Sequence, residues 1–278
     1  MKPIKSIGII ANSSKENAVE QAERLRDWLS DRGVKVFLET KLNGEGDETR
    51  EFVSLIDMVV VFGGDGTLLV AARLVKKYGV PIVGINLGGF GFMTVINLNE
   101  MFDVMEIILR GDYKTSRRMM LDASVGEKEC SVLNDIVISR GGLSRMVNLE
   151  TSVDDKYLAT FKADGLIIST PTGSTAYSLS TGGPIVFPEH NLIIINPICP
   201  HSLTNRPIML PPESTIKVKL MDEEEGVKVA MDGQVVNVLQ SGEAITIRKS
   251  KYHINIVDSP LRGYLEVLRT KLGWGGSP

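Results

Sequence analysis

A chain of 278 residues with 43% hydrophobic and 23% charged content suits one large globular domain or two modest ones. Its formal net charge of −3 argues against a sequence-independent nucleic-acid binder, which carries a basic excess. No run approaches the roughly 18 apolar residues of a membrane span, and the opening Met1 to Ile10 is too short and broken in its apolar part for a signal peptide. A soluble, cytoplasmic protein is expected, with no nucleic-acid or membrane partner. Cys130 and Cys199 lie far apart, form no metal-ligand spacing, and read as free core thiols.

Ile7 to Ala11 reads as a buried strand, followed by the polar turn Asn12-Ser13-Ser14. A helix is predicted over about Lys15 to Asp31, with Ala18, Ala22, Leu25 and Leu29 on one face. Gly33 stands where a helix cap is expected, and Val34 to Leu38 makes the next strand. Leu42 to Arg50 is charged and reads as an exposed connection. The apolar block Met58 to Phe62 then runs into Gly63-Gly64-Asp65-Gly66-Thr67 and a helix carrying Leu68, Leu69, Ala72 and Val75. Strand, tight turn, helix aims backbone N–H groups and a helix N-terminus at an anion. Asp65 is the odd member, because a carboxylate repels phosphate. Val80 to Asn86 is another strand, Leu87 to Phe92 a second Gly-rich loop, and Leu98 to Leu109 a helix closed by Gly111. Alternation of this kind predicts a parallel, Rossmann-like α/β sheet whose ligands collect at the carboxyl ends of the strands. The two Gly-rich loops leave strands at that end.

From about Lys114 helical periods give way to short β-rich runs, so an all-β domain is expected over 114–260 after an α/β domain over 1–113. The runs include Leu121–Val125, Cys130–Ser139, Val147–Val153, Leu166–Ser169, Leu192–Asn196, Val227–Met231, Ala244–Arg248 and His253–Val257. Asp154-Asp155-Lys156, Asp232-Gly233 and Ser241-Gly242 read as hairpin turns. Leu261 to Leu272 looks helical again, so 261–278 is expected to pack back on the first domain, with Gly275 to Pro278 frayed.

The densest polar stretch is Ser169 to Pro184, which follows the apolar run Leu166–Ile168 and is rich in hydroxyls and glycine. It suits a polyhydroxylated or amide-bearing ligand, with Tyr177 offering a face to a flat ring, and it equally suits a Ser/Thr-rich surface loop. Asn134-Asp135 lies in a strand-like run, where neighbours point to opposite faces, so both serve one site only at a bulge or strand end. Lys162-Ala163-Asp164-Gly165 reads locally as a hairpin turn with a solvated ion pair, and Asp232-Gly233-Gln234 as a plain turn. No Walker-type loop, G-x-G-x-x-G after a strand, or nucleophile elbow is present.

In order, Gly63-Gly64-Asp65-Gly66-Thr67, Asn134-Asp135, Asp164-Gly165, Pro171-Thr172-Gly173-Ser174-Thr175-Ala176-Tyr177-Ser178-Leu179-Ser180, Gly182-Gly183-Pro184, Pro200-His201-Ser202-Leu203 and Asp232-Gly233-Gln234 resemble the NAD kinase family. The first motif alone is shared with lipid kinases and phosphofructokinases, whereas the long hydroxyl-rich segment is specific. The resemblance implies transfer of the ATP γ-phosphoryl group to the 2′-hydroxyl of the adenosine ribose of NAD. It also implies an α/β domain followed by a β-rich one, with the site in the crevice between them. Asp65 would be the catalytic base, supported by Gly66, with Gly63, Gly64, Gly66 and Thr67 forming the phosphate loop. Mg²⁺ would arrive with ATP, and no protein metal site is implied.

For NAD, the resemblance implies Asn134 and Asp135 at the ribose and adenine side. Thr175, Ala176, Tyr177, Ser178, Leu179 and Ser180 would line the pocket, and Asp164 would contact the nicotinamide end. Arg145, Lys162, Cys199 and Gln234 join the set. Lys162 stands where arginine is frequent, Arg145 where histidine is, and Cys199 where alanine is. Family members form homodimers or tetramers, so a homodimer or homotetramer is implied. The competing readings are a lipid or sugar kinase of the same superfamily and a non-catalytic NAD(P) sensor on the same scaffold.

Overall fold

A parallel sheet covered on both faces needs strands that are apolar at every position. Met58–Phe62 is such a strand, and Ile82–Asn86 is apolar up to its last residue, Asn86; both are buried throughout. The computed structural model describes residues 3–15, 17–39, 53–89, 91–140, 146–222 and 227–274. It divides into two compact units, Met1–Arg117 with Ile254–Pro278, and Arg118–His253. The expectations for Leu42 to Arg50, Arg145 and Gly275 to Pro278 fall outside the described residues.

The first unit runs β1 (Ser6–Ala11), α1 (Ala18–Ser30), β2 (Lys35–Glu39), β3 (Met58–Phe62), α2 (Asp65–Val75), β4 (Ile82–Asn86), β5 (Ile96–Asn97) and α3 (Met101–Leu109). β2, β1, β3 and β4 pair in parallel in that order, with Ile7 opposite Met58 and Val59 opposite Ile82. The far edge of β4 pairs with Ile256 at Ile82 and with β5 at Ile85. Helix α1 buries Ala18, Ala22, Leu25 and Leu29, the face expected from their spacing. These join Ile9, Phe62, Val104 and Ile108 in one apolar core. Among the described residues no helix is long and apolar enough to cross a membrane.

The C-terminal helix Tyr264–Leu272 belongs to this unit, and Arg262 just before it pairs with Glu100. The Arg262 guanidinium holds the Glu100 carboxyl below the usual carboxylate range, so this contribution to stability is lost only in acid. Glu100→Ala is expected to cost on the order of 2 kcal/mol, the range for a charged hydrogen-bond partner removed from a part-buried site. Thermal melting at pH 7 checks it; an unchanged midpoint would mean the ion pair does not secure this segment.

The second unit carries β6 (Thr115–Val125), β7 (Lys128–Val132), β8 (Asp135–Ser139), β9 (Val147–Val153), β10 (Lys156–Ala163) and β11 (Gly165–Ser169). Next come a 3₁₀ turn at Thr172–Thr175 and the one-turn helix α4 (Tyr177–Ser180), followed by β12 (Ile193–Ile198), β13 (Ile208–Leu210), β14 (Ile216–Leu220), β15 (Val227–Met231), β16 (Gln234–Leu239) and β17 (Ala244–Val257). One antiparallel sheet has the order β13-β12-β11-β8-β15-β16. A second antiparallel array pairs β10-β9-β14-β17. Leu149, Phe161, Ile216 and Val218 meet Ile136, Ile138, Leu166 and Ile168 in one core.

Four local readings are revised. The run Cys130–Ser139 is two strands, because the chain turns at Leu133-Asn134. Ala244–Arg248 and His253–Val257 are one continuous strand. Lys162 to Gly165 is no hairpin, since β10 and β11 pair in different sheets. Both cysteines are free as expected, yet neither is a core thiol: Cys130 is half-buried and Cys199 exposed.

Candidate functional site

Where parallel strands end, the backbone must turn, and those turns meet ligand. β3 ends at Phe62 and β4 at Asn86, and the turns after them bring Gly63, Gly64, Gly88, Gly89 and Gly91 to one cleft of about 470 Å³. Asp65, Asn86, Leu87, Lys15 and Lys271 complete its lining. The two Gly-rich loops therefore share one cleft, and the two lysines were invisible as partners in the sequence. The Gly63 amide donates to the Ile85 carbonyl (3.0 Å), and the Thr67 and Leu68 amides to the Gly64 carbonyl (3.0 and 3.2 Å), which starts α2 at the cleft. Gly66 is exposed, and the buried Thr67 hydroxyl accepts from Asn12 Nδ2 at 3.3 Å.

Asp65 occupies the first turn of α2. Its Oδ1 accepts from the Met93 amide (3.1 Å), the Thr94 amide (3.0 Å) and the Thr94 hydroxyl (3.0 Å), while Oδ2 accepts from the Phe92 amide (2.8 Å). A carboxylate offers about four lone-pair sites over two oxygens. Oδ1 is filled by this loop, and Oδ2 keeps capacity for one more proton donor. Thr94 extends the network by accepting from Asn86 Nδ2 at 2.9 Å. Gly91 must be glycine, because a Cβ there would overlap Asp65 Oδ1 and Thr94 Oγ1. Gly91→Ala is expected to cost about 1–3 kcal/mol of stability, as overpacking does, and roughly 10–100-fold in turnover through a displaced carboxylate. Melting and turnover measured on one preparation check this; normal values for both would show that the loop yields freely.

In the second unit, β8 starts at Asp135, so Asn134 in the turn and Asp135 at the strand end serve one place, as a strand end allows. The turn is clamped against the segment after β11. Thr170 N donates to the Asn134 carbonyl (2.9 Å), Thr170 Oγ1 to the Leu133 carbonyl (2.6 Å), and a Cβ on Gly173 would strike the Asn134 backbone. The Asp135 carboxyl is buried, and the Tyr177 amide at the head of α4 bonds to it. Burial first, and the nearby Asp232 charge second, push this carboxyl up to about 7. Gln234 opens β16, just past Asp232-Gly233.

Most hydroxyls of the Ser/Thr-rich segment are spent on the segment itself. Ser174 Oγ exchanges bonds with Val186 backbone (3.2 and 3.0 Å). Buried Asn196 of β12 donates to the Ser178 carbonyl (3.0 Å) and the Thr181 hydroxyl (2.7 Å), fixing α4. Thr175 Oγ1 donates to the Thr172 carbonyl (3.2 Å). Among the described residues, Asn134 Oδ1 and Thr172 Oγ1 are buried without a hydrogen-bond partner, and Tyr177 keeps 46% exposure. Ala176 and Leu179 are half-buried, and Ser180 is exposed.

Lys162, Asp164 and Cys199 form a separate group. The Asp164 amide donates to the Ile198 carbonyl and the His201 amide to the Lys162 carbonyl (both 2.9 Å). They gather where β11 begins, while Asp135 faces Ser169 where it ends. At ~3.3 Å per residue these two groups stand about 13 Å apart along the strand.

A glycine-lined cleft at the head of a helix, with a carboxylate and two lysines, on an α/β unit followed by a β unit with a preformed polar turn, defines a nucleotide-handling phosphotransferase. The ATP-NAD kinase N-terminal domain matches residues 7–113 and the ATP-NAD kinase C-terminal domain residues 133–259. The chain is 48% identical to a protein named NAD kinase from Geobacter sulfurreducens and 47% identical to one from Citrifermentans bemidjiense, in each case over 98% of this chain and 99% of the relative. The solved yeast NADH kinase complexed with NADH superposes with a TM-score of 0.90 at 25% identity, covering 100% of this chain and 90% of that one. An NAD kinase from Archaeoglobus fulgidus in complex with ATP gives 0.77 at 25% identity, covering 98% and 100%. The chain belongs to the ATP-NAD kinase family.

Proposed function

We propose that this enzyme transfers the γ-phosphoryl group of ATP to the 2′-hydroxyl of the adenosine ribose of NAD, giving NADP. The observation that carries the reading is the Asp65 carboxylate, one oxygen filled by loop donors and the other with a free lone pair, in a cleft lined by glycines, Lys15 and Lys271. Phosphoryl transfer asks mainly for positioning and charge neutralisation. The amides of Gly64 and Gly66 at the helix start and the two lysines hold the donor phosphates, while Gly63 and Thr67 set the shape of the loop through their own backbone bonds. A divalent metal accompanies an ATP-dependent kinase, and we take it to be Mg²⁺ bound to the nucleotide. The phosphate oxygens of the nucleotide would hold that ion, in the usual manner of Mg²⁺ in kinases. Asp65 Oδ2 accepts the 2′-hydroxyl proton as the ribose oxygen bonds to the γ-phosphorus and the bond from that phosphorus to the β–γ bridging oxygen breaks, releasing ADP.

Asn134 Oδ1, buried and unpartnered, is suited to accept from a ribose hydroxyl, with Asp135 alongside and the Tyr177 ring open for an adenine face. Thr175 to Ser180 and Gln234 complete that end. Lys162, Asp164 and Cys199, at the other end of β11, take the nicotinamide side; two separated polar groups suit a ligand with a nucleoside at each end. Arg145 joins the NAD set by resemblance. The exposed Val235, Val236 and Val238 on edge strand β16 support assembly with further copies as a homodimer or homotetramer. Free cysteines fit a cytoplasmic, reducing setting.

The test mixes protein with NAD or NADH and Mg²⁺-ATP, another nucleoside triphosphate or polyphosphate, and reads NADP(H) with an NADP-specific dehydrogenase. NADP from Mg²⁺-ATP is the expected result. Tight NAD binding with no product from any donor would instead make this a sensor, and phosphorylation of a lipid or sugar in its place would move the chain to another branch of the superfamily.

A further inference from the structure

We infer that Asp232 is a positioning residue for NAD: its carboxylate holds the Leu133–Asp135 turn in the shape that presents Asn134 and Asp135 to the ribose. The inference rests on the NAD-binding role proposed above for that turn. Local sequence explains Asp232 as hairpin chemistry. Asp232 has φ 48° and Gly233 φ 78°, the two left-handed residues of a tight turn joining β15 and β16. A turn of that kind needs nothing from the aspartate side chain beyond tolerance of the backbone. Here the side chain reaches a segment far back in the chain. Oδ2 accepts from the Leu133 amide (3.1 Å), and Oδ1 from the Asn134 amide (2.8 Å) and the Asp135 amide (3.3 Å). The Asp232 amide returns a bond to the Asp135 carbonyl at 3.0 Å.

Successive amides converging on one anion form a rigid concavity. The carbonyls of Leu133 and Asn134 are held from the other side by Thr170. The backbone of the turn is thus fully engaged, and what stays buried and unpartnered is Asn134 Oδ1. That is preorganisation: the side chain meant for a ligand is fixed before the ligand arrives.

The arrangement also places a second carboxylate against the buried Asp135, an unfavourable charge that a neutral acceptor in the turn would avoid. Asp232, from the β15–β16 turn, raises the Asp135 carboxyl, while the Tyr177 amide from α4 lowers it. Removing the Asp232 charge therefore moves the Asp135 titration toward acid, and with Asp135 at the ribose that shift carries over into the pH profile of NAD binding.

The experiment compares wild type, Asp232→Asn and Asp232→Ala by NAD calorimetry across pH, by KM for NAD and for ATP, and by thermal melting. Asp232→Asn keeps one acceptor oxygen and the shape of the side chain, so it serves even if the alanine variant does not fold. It is expected to bind NAD about tenfold more weakly, the loss of a charge-assisted hydrogen bond. Its KM for ATP should be unchanged, and the midpoint of its NAD pH profile should shift to lower pH. Wild-type NAD affinity and pH profile in Asp232→Asn would overturn the role of Asp232 alone. So would equal losses for NAD and ATP that track the melting temperature. A wild-type protein that neither binds NAD nor forms NADP would instead overturn the reading of the whole site.

Discussion

Asp65→Asn is expected to lower turnover by about 10²-fold or more, the usual effect of removing a general base, while NAD affinity stays near wild type. The geometry predicts a second effect of the same substitution. The amide oxygen takes the crowded position facing Met93 and Thr94, which leaves the NH₂ group opposite the Phe92 amide, two donors face to face. That costs about 1–3 kcal/mol of stability, so melting must be recorded beside turnover. Thr94→Val separates the two roles, because it removes one donor to Oδ1 and leaves Oδ2 untouched. Its turnover should fall far less. Near-normal turnover in Asp65→Asn, or equal losses in both variants, would reduce Asp65 to an anchor for the second Gly-rich loop.

Asp135→Asn should show opposite signs in binding and stability. With its carboxyl raised to about 7, the folded protein holds a proton that the unfolded chain releases near pH 4. This favourable contribution is complete below about pH 4 and disappears as pH rises through about 7. Above pH 7 the wild-type protein keeps a buried charge next to Asp232. The Asn variant cannot ionise, so at pH 8 it should be more stable by a few kcal/mol, at ~1.4 kcal/mol per pH unit separating the two values. At pH 5, about one pH unit above the unfolded value, the gain should shrink to roughly 1–2 kcal/mol. NAD affinity should fall about tenfold or more, as expected for a lost hydrogen bond to a charged group. Melting at pH 5 and 8 with NAD calorimetry checks both halves. Unchanged stability at pH 8 would mean that Asp135 carries no penalty for its charge, and unchanged NAD affinity would remove it from the ribose site.

Several features were legible because their causes are local. The spacing of Ala18, Ala22, Leu25 and Leu29 marks a helix face whatever it packs on. Asp154-Asp155 and Asp232-Gly233 adopt positive φ because short polar residues and glycine tolerate it. The Cys130–Ser139 run misled because two adjoining strands share one composition, and only pairing reveals the break at Asn134. Cys199 misled because thiols are usually buried, whereas here it follows β12 with φ 44° and is exposed. Composition left the hydroxyl-rich segment open between ligand surface and plain loop, since it cannot tell whether Ser174 or Ser178 spends its polar groups on ligand or on the fold.

By itself, then, the sequence determined the α/β-then-β order, the glycine turn after β3, and the set of motifs that identify the family, all consequences of backbone conformation and periodicity within short windows. The tertiary structure decided which groups meet. It joined Asp65 to the 92–94 amides, brought Lys15 and Lys271 to one cleft, and set Asp232 against the turn before β8. Periodicity reports how a segment folds and which side it buries. Hydrogen-bond partners far apart in the chain are chosen only when packing brings them together, and that is where the chemistry of Asp65 and Asp135 is set.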